Sequence, residues 1–149
     1  NWDTKPSVVS YNAVLNCWCS IDKRGDDRKF DPDLSNFAMK RADAILRKMQ
    51  SMELAQRPDE VSYHTMIKGY GNDIRKAEKC VQEMIENGVR PNQDTYRSLL
   101  KVLERDDRFP KQAEKTAKMM EIQQKFEFTP ATNGKQDRNG PSPSFRNTR

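Results

Sequence analysis

Few side chains in this 149-residue sequence are of the kinds that do covalent or metal chemistry, and their spacing argues against both. Cys17 and Cys19 form a C-x-C pair, half of a zinc set, but no second pair or nearby histidine supplies the rest. A total of three cysteines argues against a disulfide framework and for a reducing compartment. Cys17 beside Trp18, and Cys80 on an apolar stripe, read as small packing residues. His64 is the single histidine, so a histidine-based catalytic set has no second member. The carboxylates are scattered or gathered with lysines and arginines between Ile21 and Asn36, whereas a metal-dependent nuclease needs them clustered on one scaffold. No catalytic residue, metal, cofactor or small-molecule substrate is therefore expected, and the remaining function classes are binding and scaffolding.

The elements that would carry such a role repeat along the chain. Tyr11-Val14-Leu15-Trp18, Tyr63-Met66-Ile67-Tyr70 and Tyr96-Leu99-Leu100-Leu103 share the i, i+3, i+4, i+7 spacing of an amphipathic helix. A second stripe of the same spacing follows each: Ala42-Ile45-Leu46-Met49, Ala77-Cys80-Val81-Met84 and Ala113-Thr116-Ala117-Met120. Proline closes each unit, at Pro58, Pro91 and Pro130. Helix, helix and proline recurring in order predict an all-α solenoid of antiparallel helix hairpins, with both stripes buried between neighbours. Ser10, Ser62 and Thr95 stand directly before the three tyrosines, where an N-cap is expected, and Gly88 suits the residue after a helix end.

Composition agrees with a stack rather than a sphere. The hydrophobic share is 34% against 33% charged, lean for one central core but enough when each hairpin buries one face. No apolar run approaches the length of a membrane span, so no membrane partner is expected. The net charge of +5 is unevenly placed, since the segment from Thr132 carries +3 of it. Bulk charge is thus weak evidence for nucleic acid, and any electrostatic footprint must come from placement on one face.

The units divide as 8–59, 60–92 and 93–131, with 1–7 reading as the end of a preceding repeat and the chain as a fragment of a longer one. The first contains a polar insertion at 21–36 between its paired helices. Residues 132–149, rich in Asn, Gly, Pro and Ser, read as a disordered basic tail.

The unit starts are Val8-Val9-Ser10-Tyr11-Asn12-Ala13-Val14-Leu15 and Glu60-Val61-Ser62-Tyr63-His64-Thr65-Met66-Ile67; the ends are Arg57-Pro58-Asp59 and Arg90-Pro91-Asn92. Over about residues 5–131 these resemble the pentatricopeptide repeat family, and lack the Trp, Leu-Gly and Tyr order of tetratricopeptide repeats. The resemblance implies a right-handed superhelix that binds single-stranded RNA, one base per repeat. It also implies an organelle setting, mitochondrion or chloroplast, in RNA processing, stability or translation. In the family the residue after the tyrosine and the last residue of the repeat read the base, and the residue two before the tyrosine packs on it. Carried across, the first unit reads with Asn12 and Asp59 over Val9, the family's uridine-preferring pair. The second reads with His64 and Asn92 over Val61. His64 departs from the usual residue and either contacts a base or is a tolerated surface histidine. The third has Arg97, Asp94 in the packing place and Ala131 at its close, and reads as a degenerate or capping repeat in which Arg97 could contact phosphate. One turn beyond the readers lie Asn16, Lys68 and Lys101, and the two lysines are further candidates for phosphate contact.

Two other readings compete. Helical repeats also form protein-interaction scaffolds, so other proteins are alternative partners. Some family members resemble RNA-processing nucleases through an added metallonuclease domain, of which this chain would be only the repeat region.

Overall fold

The computed structural model describes residues 4–21 and 31–128, and among these all regular structure is helical. Six α-helices follow in order: α1 (Val8–Cys19), α2 (Pro32–Gln50), α3 (Glu60–Gly69), α4 (Ile74–Glu86), α5 (Gln93–Arg105) and α6 (Gln112–Lys125), with a 3-10 turn at Leu54–Gln56. α1 packs on α2 and α3, α3 on α4 and α5, and α4 on α5, which is a stack of hairpins. No helix of the described residues is long and apolar enough to cross a membrane.

The helices begin one turn earlier than their hydroxyl residues suggest. The N-caps of α1, α3 and α5 are Ser7, Asp59 and Asn92, while Ser10, Ser62 and Thr95 occupy the third helical position. In α3 and α5 Asp and Asn cap at least as well as Ser and Thr, and in α1 one serine replaces another, so the earlier residue caps and each helix gains three residues. Ser62 and Thr95 then answer with their hydroxyls to the backbone N–H of Asp59 and Asn92, closing two capping boxes. At the end of α4, Gly88 adopts φ +78°; its N–H bonds to Ile85 and that of Val89 to Met84, a Schellman stop. α2 starts at Pro32 with Asp31 as its cap, so the last five residues of the polar segment 21–36 are helix. Residues 22–30 of that segment, Pro130, Ala131 and the tail 132–149 lie outside the described residues.

Burial shows what stacking does to equal positions. Leu15, Tyr63, Met66, Ile67, Leu99 and Leu103 are buried, as are Ala42, Leu46, Met49, Ala77, Cys80, Val81 and Met84 of the second stripes. Met66 and Leu99 are wholly enclosed, yet Val14 at the same repeat position is 44% exposed, because no described hairpin precedes α1. Leu100 is only half-buried for the converse reason at the other end.

The stripe expected on α6 does not pack. Ala113, Thr116, Ala117 and Met120 are exposed, and the inward face is Lys115, Lys118, Met119 and Ile122. The inward face is offset by two residues from the expected stripe, a turn of about 200° that exchanges the two faces. In this register Ile122 is fully enclosed and Lys118 pairs with the buried Glu78 of α4 at 3.1 Å. Past the helix, Phe128 folds back against Tyr96 with ring centroids 5.1 Å apart.

Candidate nucleic-acid interface

The packing of α1 on α3 brings the first reader pair together. As N-cap, Asp59 is fixed at the start of α3, and its carboxylate accepts from the Ser62 N–H at 3.0 Å. Asn12 is in the second turn of α1 and donates through Nδ2 to Asp59 Oδ1 at 3.0 Å, across 47 positions of sequence. Ser62 Oγ lies 2.5 Å from Asn12 Oδ1, which orients the amide from its other side. An ionised carboxylate can only accept, so the Asn12 amide must turn its nitrogen to Asp59. One N–H and one oxygen lone pair remain on Asn12, so it offers a donor and an acceptor side by side. Burial raises the Asp59 carboxyl's pKa, but hydrogen bonds from the Ser62 N–H and from Asn12 outweigh it and hold the group below its usual range. Val9, one turn before Asn12, is 72% exposed, an apolar surface beside a polar edge.

The α3–α5 junction repeats the arrangement with different chemistry. Asn92 caps α5 and its Oδ1 accepts from the Thr95 N–H at 3.0 Å. His64 meets this cap through Nε2, 2.7 Å from Thr95 Oγ1. Asn92 Nδ2 donates to Glu60 Oε1, and His64 Nδ1 lies 4.0 Å from the same oxygen. His64 and Asn92 therefore meet through Thr95 and Glu60. Burial is the main influence on His64 and pushes its pKa down, helped by Lys68 and opposed by Glu60 and Asp94, so the ring is neutral at pH 7. Val61 is exposed like Val9.

At the third unit Arg97 turns to Asp94, 3.3 Å away, and both side chains are largely exposed. Lys68 and Lys101 line a shallow pocket of about 240 Å³ between α3 and α5 together with Gly71, Ser98, Val102 and Arg105. Asn16 lies on the exposed side of α1, where its Oδ1 accepts from Ser20 Oγ.

Four members of these junctions are not singled out as site residues by sequence reasoning. Ser62 and Thr95 carry a readable signal, a hydroxyl residue three positions after Asp or Asn, but the tyrosine that follows them draws attention to the wrong cap. Glu60 and Arg105 have none, since an acid in a first turn and a base in a last turn are ordinary responses to the helix dipole. Of the thiols, Cys19 and Cys80 are buried, with burial pushing Cys80 well above the usual thiol range, while Cys17 is exposed rather than packed. Among the described residues no three His, Cys, Asp or Glu side chains group as metal ligands.

Residues 58–105, from the end of the first hairpin through α5, match the model of the PPR repeat family. No curated protein and no solved structure gives a significant match to the chain.

Proposed function

We propose, from the match of residues 58–105 to the PPR repeat family, that the starts of α1, α3 and α5 form a single-stranded RNA-binding face with one base per hairpin. The observation that carries this is the Asn12–Asp59 hydrogen bond. It leaves Asn12 one donor and one acceptor, which match uracil O4 and N3–H. A solvated asparagine would have no reason to be gripped on both polar atoms. Exposed Val9 and Val61 supply apolar contact for the base faces. Lys68, Lys101 and Arg105 line the pocket a turn or two further along, where a phosphate chain would pass.

His64 and Asn92 form the second reading pair, held through Thr95 and Glu60. Arg97, engaged by Asp94, is a phosphate contact only if it leaves that partner. Family resemblance supports a place in organelle RNA processing, stability or translation, in a mitochondrion or chloroplast. Expressing the complete gene product with a fluorescent tag tests that location.

The binding experiment is a titration of this chain with labelled single-stranded RNAs that differ at one nucleotide. Preference for uridine at one position, lost in Asn12→Ala, supports the reading. Equal affinity for all four bases at every position refutes it. Binding to proteins with no affinity for RNA would favour the scaffold role instead.

A further inference from the structure

We propose that the second hairpin is selective for guanine, and that Glu60, held between His64 and Asn92, is the residue that determines it. The inference rests on the RNA-reading face proposed above. Glu60 opens α3 at the same repeat position as Val8 in α1 and Gln93 in α5, so among the three hairpins only the second presents a carboxylate there. That carboxylate is no free-swinging surface acid. Asn92 Nδ2 donates to its Oε1, and the Nδ1 edge of His64 lies 4.0 Å from the same atom. The residue at each reading position thus touches or faces Glu60, whose side chain is still 47% exposed.

This changes what the site can recognise. At the first hairpin the exposed edge is the Asn12 amide, one donor beside one acceptor. At the second, Asn92 spends an N–H on Glu60, and the His64 Nε2 edge is turned to Thr95 at 2.7 Å. Asn92 keeps its second N–H, and the carboxylate between it and His64 accepts only. Guanine alone has two donors side by side on its Watson–Crick edge, N1–H and the N2 amino group, and the two oxygens of a carboxylate match them. Uracil sets one donor between two acceptors, while cytosine and adenine each set an amino group beside an acceptor nitrogen. Each of those three would bring a lone pair against a carboxylate oxygen. Carboxylates read bases by this logic of accepting from base amino groups elsewhere in nucleic-acid recognition.

The test uses the full chain and Glu60→Gln, titrated with labelled RNAs that hold one uridine and vary only the nucleotide adjoining it on either side. The unaltered chain should favour guanine at one of those places by about tenfold, the scale of one good bidentate contact. Glu60→Gln should flatten that preference, because an amide brings a donor against a guanine donor, while uridine selectivity through Asn12 persists. Binding that selects uridine but ignores the adjoining base, selects another base there, or is unchanged in Glu60→Gln overturns this inference and leaves the RNA reading standing. Failure to bind any of these RNAs overturns both.

Discussion

Asp59 has two separable duties, capping α3 and holding Asn12, and two substitutions divide them. Asp59→Ala removes the side chain that accepts from the Ser62 N–H and from Asn12 Nδ2. Loss of an N-cap costs about 1 kcal/mol, and loss of the partly buried bond to Asn12 about 1 kcal/mol more. The expected destabilisation is therefore about 2 kcal/mol, a fall on the order of 1 M in the urea midpoint for an ordinary m value. Asp59→Asn keeps an equally good cap and should change stability by less than about 0.5 kcal/mol. It should instead move base preference from uridine towards cytidine, as the family's Asn-Asn pairing implies. The carboxylate's sign can be checked as well. Its folded pKa is depressed, so it contributes stability above its unfolded value of about 4 and loses it as pH falls through the folded value. Asp59→Asn should lack that part of the acid transition. Urea unfolding followed by helical circular dichroism at pH 7 and at decreasing pH, with RNA titrations of the same samples, measures all of this. If Asp59→Ala is as stable as Asp59→Asn, Asp59 is not the cap. If both variants keep the original base profile, the Asn12–Asp59 pair does not read RNA.

The remaining expectations concern packing, charge and acid stability. Leu15→Ala should cost about 2–5 kcal/mol, and Leu100→Ala less, because Leu15 is fully enclosed and Leu100 is not; comparable losses in chemical unfolding would contradict the end effect described. Replacing Lys68 and Lys101 with Ala should weaken RNA binding broadly and shrink its salt slope by about 0.7 per lost phosphate contact. Deletion from Thr132 should do less, and a titration with the reverse order would refute the face. Asp106, buried and held near a pKa of about 2 by Arg108 despite its burial, accepts from the Ile74 N–H at the start of α4. Its contribution is present above about pH 4 and is lost as pH falls towards 2, so Asp106→Asn should lower stability at pH 7 and flatten the acid limb of a pH–stability curve.

The helices and their recurrence were legible along the chain, because helical periodicity depends on neighbours within a turn or two. The period of Tyr63-Met66-Ile67 is a local property, and so is the Gly88 stop. Asp59 and Asn92 were legible as unit ends through resemblance, but not as caps. Two good capping residues stood three positions apart, and local preference hardly separates them. The choice fell to the packing that lets Asp59 meet Asn12 and Asn92 meet Glu60. The face of α6 escaped for a related reason. Ala113-Thr116-Ala117-Met120 fits the helical period, but so does the stripe through Met119 and Ile122, and contacts with other helices, burial of Ile122 and the Lys118–Glu78 pair among them, separate the two. Likewise nothing in the letters distinguishes Val14 from Met66, which differ in burial only because one has a described hairpin before it. By itself the sequence determined what short-range periodicity can fix: helix type and the recurrence of helices along the chain. Tertiary structure alone decided which of those residues touch across the stack, since contact between Asn12 and Asp59, or among Glu60, His64 and Asn92, depends on how whole helices are placed against each other.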